Sequence, residues 1–126
     1  MELIVTKTLE EKELEPLKNV INLEILKNAA KKSIEGLGES IKTAVKIPET
    51  LLKKVYLTTS GGAARSIFLL KIKEDKTVLV MIRMKNDKKV GVNMTINNPK
   101  FKKALEKNLE GILKDLALGN YKKITL

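Results

Sequence analysis

A chain of 126 residues has room for one hydrophobic core, so residues 1–126 are expected to form a single domain. It carries 25 lysines and arginines against 15 aspartates and glutamates, and a formal charge of +10 points to a polyanionic partner. Cysteine and histidine are both absent, which excludes disulfides, thiolate nucleophiles, Ser-His-Asp triads, imidazole acid/base pairs and most structural zinc sites. Neither metal nor other cofactor is expected. The longest wholly apolar runs, Ile67–Leu70 and Val78–Ile82, fall far short of the ~20 residues that a membrane helix needs, and the N-terminus does not resemble a signal peptide. The expectation is a soluble, cytoplasmic protein with no membrane partner.

In chain order, Glu2–Leu9 is short, β-branched and partly alternating, as in an opening strand. Pro16 offers a helical first turn. From Leu17 the apolar positions Val20, Ile21, Leu26, Ala30, Ile34 and Leu37 recur at mostly helical intervals, a stripe suited to packing on a sheet, interrupted by Gly36 and Gly38. Ser40 is placed as the cap of a second, shorter helix carrying Ile41, Ala44 and Val45, and Pro48 opens a turn containing Leu51 and Leu52. From Lys53 the pattern switches to three strand-like runs, KKVYLTTS, RSIFLLKIK and TVLVMIRMK, which predict an antiparallel meander. A polar connector, Asn86–Asn97, leads to Asn98 and Pro99, a helix start with cap and first-turn proline in order. Phe101, Leu105, Ile112, Leu113 and Leu116 form its stripe and Gly119 its stop, before a tail at Tyr121–Leu126. The fold class is α+β: an N-terminal strand and a three-stranded meander packed by N-terminal helices and a C-terminal helix.

Strand parity separates the faces of the meander, because side chains alternate and cross-strand partners share a face. A three-residue loop at Glu74, Asp75 and Lys76 pairs Phe68 with Ile82, Leu70 with Val80 and Ile72 with Val78. The same register sets Arg65 opposite Lys85 and Ile67 opposite Arg83. At the preceding turn, pairing Thr59 with Ala64 sets Val55 opposite Phe68 and leaves Lys54, Tyr56 and Thr58 on the face of Arg65, Arg83 and Lys85. That face is basic at one end and apolar at the other, where Leu69, Leu79 and Met81 call for a cover. The bland alternative is a solvated sheet edge.

Arginine and lysine clamps stabilise a phosphate in a displacement transition state, and a desolvated lysine beside other cations acts as a base. Cleavage of RNA by its own 2′-hydroxyl needs those parts and no histidine. Lys54 or Lys85 suits the base, Arg65 and Arg83 the clamp, and Tyr56 a stacking or positioning role. Lys53, Thr58, Lys88 and Lys89 flank them as nucleic-acid contacts. The Ser60–Arg65 stretch, SGGAAR, lacks the spacing of a phosphate loop and reads as a turn. Lys100, Lys102, Lys103 and Lys107 read as the wet side of the last helix.

The layout of strand, helical pair, meander and C-terminal helix, with SGGAARSIFLLKI and VLVMIRMKNDKK, resembles the RelE/ParE superfamily of toxins, and HigB-like members most. Its glycine-rich turn leads through Arg65 into a central strand, and the next strand leaves through Lys85-Asn86; the likeness spans roughly Lys53 to Lys89. The resemblance implies the toxin of a type II toxin-antitoxin system. That toxin would be a metal-independent endoribonuclease that acts on mRNA at the ribosome, inhibits translation and is neutralised by a cognate antitoxin protein. By position it favours Arg65, Arg83 and Lys85, then Lys54 and Tyr56. No aromatic or histidine matches the family's C-terminal catalytic one unless Tyr121 serves, and the Pro99–Leu118 helix is longer than usual. Those departures keep two alternatives: a nucleic-acid-binding or partner-binding module without cleavage, and a ParE-like topoisomerase poison. Codon specificity and oligomeric state are not readable from the residues.

Overall fold

The computed structural model describes residues 1–42, 47–91, 93–95 and 97–126. Its six-stranded sheet runs in the order β2-β3-β4-β5-β1-β6. The strands are β1 (Glu2–Thr6), β2 (Glu39–Ile41), β3 (Thr50–Thr59), β4 (Gly62–Lys71), β5 (Lys76–Met84) and β6 (Tyr121–Thr125). After β1 come helix α1 (Lys7–Leu9), a π-helical turn at Glu10–Leu14 and a 3-10 turn at Glu15–Leu17. Helix α2 (Leu23–Ile34) packs on one face of the sheet and α3 (Pro99–Leu118) on the other. The fold is α+β, and every strand pairing is antiparallel except that of β1 with β5.

Local chemistry sets the helix ends. The Asn22 side chain accepts the Ile25 N–H (2.8 Å) and caps α2, a contact worth about 1 kcal/mol. Asn98 accepts the Lys100 N–H (3.1 Å), Pro99 takes the position whose missing N–H costs nothing, and Gly119 at φ 74° ends α3. One cluster joins Phe101, Leu105, Leu109 and Ile112 of α3 to Leu52, Ile67, Leu69 and Met81 of the sheet. The other joins Leu26, Ala29 and Ala30 of α2 to Leu3, Val5, Val55, Leu57 and Phe68. Strand β5 lies between them, and Val78 to Ile82 is wholly buried. Leu69 and Met81, at the apolar end of the basic face, are therefore covered by α3, whereas Leu79 packs on the α2 side.

Several expectations are corrected. The opening strand stops at Thr6, because the Asp115 carboxylate accepts the Thr8 N–H (2.9 Å) and turns the chain into α1. Leu17, Val20 and Ile21 precede α2 rather than belonging to it. Ser40 caps no helix: it lies in β2, paired with Lys53, while Ala44 and Val45 fall outside the described residues. Gly38 permits that pairing, since a Cβ there would sit 2.3 Å from the Lys54 carbonyl oxygen. Pro48 does lie in a turn, but Leu51 and Leu52 are already in β3. The tail forms β6, an edge strand antiparallel to β1.

Both hairpin registers also differ from expectation. Thr59 pairs with Gly62, not Ala64, because its hydroxyl accepts the Gly61 N–H (3.0 Å) and donates to the Gly62 carbonyl (2.8 Å), closing a two-residue turn. Val55 thus faces Ser66, and Tyr56 faces Arg65. Between β4 and β5, Lys71 faces Lys76 and Phe68 faces Leu79, whereas Ile67 faces Met81 and Arg65 faces Arg83. The unpaired residue is Val80, a β-bulge whose carbonyl accepts from the buried Asn108 side chain (2.9 Å). Below the bulge the alternation inverts, so Leu79 joins the α2 side and Val78 the α3 side.

Candidate functional site

The revised registers align Tyr56, Arg65 and Arg83 across β3, β4 and β5 on the α3 face, beyond the reach of α3 itself. The segment after β5 folds over this end of the sheet and buries Val90 and Met94. Two of the sequence-predicted cations hold it down. Arg65 Nη1 donates to the Gly91 carbonyl (3.0 Å), and Lys54 Nζ donates to the Met94 carbonyl (3.1 Å). Gly91 has no room for a side chain, since a Cβ would meet the Met84 carbonyl oxygen at 1.9 Å.

Lys54 is only 6% exposed, and Glu39 lies 3.4 Å from its ammonium. The same carboxylate accepts from the Tyr56 hydroxyl (3.3 Å). Arg65 Cζ and Lys54 Nζ stand 5.5 and 5.7 Å from the centroid of the Tyr56 ring, a cation–π arrangement that steadies an otherwise half-exposed aromatic. With its donors given to a carbonyl and a carboxylate, Lys54 is poorly placed as a general base.

Arg83 is committed further still. Glu13, from the π-helical turn, is buried and takes Arg83 Nε and Nη2 in a fork (2.9 and 2.8 Å), and it also accepts the Ile82 N–H (3.1 Å). Asp87 accepts from Arg83 Nη1 (3.3 Å). The Glu13 hydrogen bonds, opposed by burial and aided by both carboxylates, raise the guanidinium above its ordinary pKa. At Asp87 burial opposes ionisation, but the Lys89 N–H and Arg83 outweigh it and hold the carboxyl below its usual value. An arginine held by two carboxylates has little charge left for a phosphate.

The open part of the site is a groove of about 250 Å³ beside the β3–β4 hairpin, lined by Tyr56, Thr58, Ala63, Arg65, Lys85 and, from α2, Lys32. Among the described residues, β2 pairs only with Leu52–Lys54, which leaves the outer edge of β3 free along the groove. The side chains of Lys32 and Lys85 are exposed and have no hydrogen bond or ion pair among the described residues. Of the nine sequence-predicted residues, the groove gathers Tyr56, Thr58, Arg65 and Lys85. Lys54 lies beneath Tyr56, Arg83 is tied to Glu13, Lys53 donates to Ser40 (3.0 Å), and Lys88 and Lys89 lie on the exposed turn past Asp87.

Lys12 is a cation the sequence reading missed. Burial lowers its pKa, and repulsion by Lys107 and Arg83 adds to this against the attraction of Glu13. Its ammonium donates to Asn108 (2.9 Å). It stands among the four charged residues of the Glu10–Glu13 run, where nothing distinguishes it from a wet helical face. Among the described residues no cluster of carboxylates is arranged to hold a metal, and no helix is long and apolar enough to cross a membrane. Compared with protein-family models, curated proteins and solved structures, the chain has no significant match.

Proposed function

We propose that the protein binds single-stranded RNA in the groove beside the β3–β4 hairpin. The observation that carries this reading is one open groove lined by Lys32, Arg65 and Lys85 together with the half-exposed Tyr56. An aromatic ring flanked by cations suits a base on its face and phosphates at its margin. The test is fluorescence anisotropy with a short unstructured RNA over a salt series. Log K is expected to fall with log salt by about 0.7 for each phosphate neutralised, and Tyr56→Ala to weaken binding about tenfold. Absence of binding even at about 0.01 M salt, where screening is weakest, overturns the reading.

The second reading is cleavage: a cytoplasmic, ribosome-dependent endoribonuclease toxin neutralised by an antitoxin, as the resemblance over Lys53–Lys89 suggests. Its favouring observation is Lys85, an exposed amine at the groove with its donors uncommitted among the described residues. Of Lys54 and Lys85, Lys85 alone lines the groove; exposed rather than desolvated, it takes the role of proton donor to the leaving oxygen, while Arg65 is the remaining clamp and Arg83 positions the strand from behind. Induced expression should arrest growth and truncate mRNAs within coding regions, with Lys85→Ala relieving both. RNA binding without truncated messages rejects cleavage and keeps binding.

A further inference from the structure

At the opposite end of β3 and β4 from the groove lies a second cavity, of about 330 Å³. Its apolar wall is formed by Ile34 at the end of α2, Leu51 of β3, Leu70 of β4 and Ile72 just beyond. Leu51 and Ile72 are 47% and 59% exposed, so large aliphatic side chains stand in water around a concave surface instead of being packed. Lys53, Lys71 and Lys76 also line the cavity.

The charge at this end is out of balance. Lys71 and Lys76 are direct cross-strand partners, and like charges placed opposite each other destabilise a sheet; Glu2 of β1 is in register with Lys76 on its other side but forms no ion pair with it among the described residues. Glu74 approaches Lys71 only to 3.6 Å, and Lys76 has no ion pair among the described residues. Lys53 donates to the neutral Ser40 hydroxyl. Asp75 is the one carboxylate among the lining residues, so three lysines face a single acid. An anion seated here relieves the Lys71–Lys76 repulsion, and an aliphatic tail on it covers Leu51 and Ile72.

We propose that this cavity binds a small amphipathic anion, with a single carboxylate-like head among the lysines and a short aliphatic tail against Ile34, Leu51, Leu70 and Ile72. The site is separate from the RNA groove and does not depend on it. The probe is octanoate, titrated into the full chain by calorimetry and by amide NMR, with acetate and octylammonium as controls. Octanoate is expected to saturate one site and to shift amides around Leu51, Leu70 and Ile72, while neither control saturates. Lys76→Glu and Ile72→Asn, both at the rim, should each weaken octanoate about tenfold, with thermal melts confirming that each variant is folded. Octylammonium binding as well as octanoate, unchanged affinity in both variants, or shifts confined to Tyr56 and Lys85 would each overturn the proposal.

Discussion

Arg83 and Lys85 are two residues apart, one near the end of β5 and the other just past it, yet they stand in opposite electrostatic conditions. Arg83 is three-quarters buried, forked onto a fully buried Glu13 and touched by Asp87. Lys85 lies just past the strand, exposed, with no side-chain partner among the described residues. A basic sheet face counted from sequence is thus not one surface. At one end its charge is spent holding the chain together, and at the other it is available to solvent and ligands.

The largest effect expected from that contrast is on stability. Glu13→Ala leaves the Arg83 guanidinium without its fork and the buried Ile82 N–H without its acceptor. Removing one partner of a buried pair costs about 3 kcal/mol or more, so urea unfolding should show a markedly lower midpoint. Lys85→Ala, at the open end, should move the midpoint by less than about 0.5 kcal/mol. Equal effects would erase the distinction.

RNA affinity should rank the two ends the other way. Lys85→Ala is expected to weaken binding a few-fold and to lower the salt slope by about 0.7, the signature of one phosphate contact on a single strand. For Arg83 the clean variant is Glu13→Gln with Arg83→Met, which removes both charges and keeps an acceptor for the Ile82 N–H. It should leave affinity and slope unchanged. A reduced slope there would mean that Arg83 exchanges Glu13 for phosphate when RNA arrives.

How much of this was legible in the residues depends on how local the signal was. The ends of α3 were readable because Asn98, Pro99 and Gly119 act within one turn. The faces of β3 and β4 were readable even though the register was not. Thr59 pairs with Gly62 in place of Ala64, a shift of two residues, and a shift of two preserves parity. The bulge at Val80 was hidden, since Val78 to Ile82 is apolar throughout and carries no polar mark to show where the alternation inverts. Lys54 illustrates the same limit at the site: a lysine that is 6% exposed reads as surface until the Met94 carbonyl is seen to accept from it. Glu13 was indistinguishable from its neighbours in the acidic run, although it alone of them reaches β5 to pair with Arg83.

The smallest expected effect concerns acid. Asp87 contacts Arg83 from the solvent side, and its carboxyl is held below the ordinary value of 3.8 because the Lys89 N–H and Arg83 outweigh burial. A carboxyl whose folded pKa is depressed contributes stability that is present above its unfolded value and lost as pH falls through the folded one. Asp87→Asn should therefore be less stable than the parent near neutral pH, and the gap should close as the pH drops below 3.8, where the parent's own Asp87 becomes neutral. Urea midpoints for both proteins across that range measure it. Lys85 has no such carboxylate among the described residues, so Lys85→Ala should run parallel to the parent through the same acid range. A gap between Asp87→Asn and the parent that persisted unchanged into acid would mean that Asp87 acts through shape and hydrogen bonding, with its charge on Arg83 of no consequence.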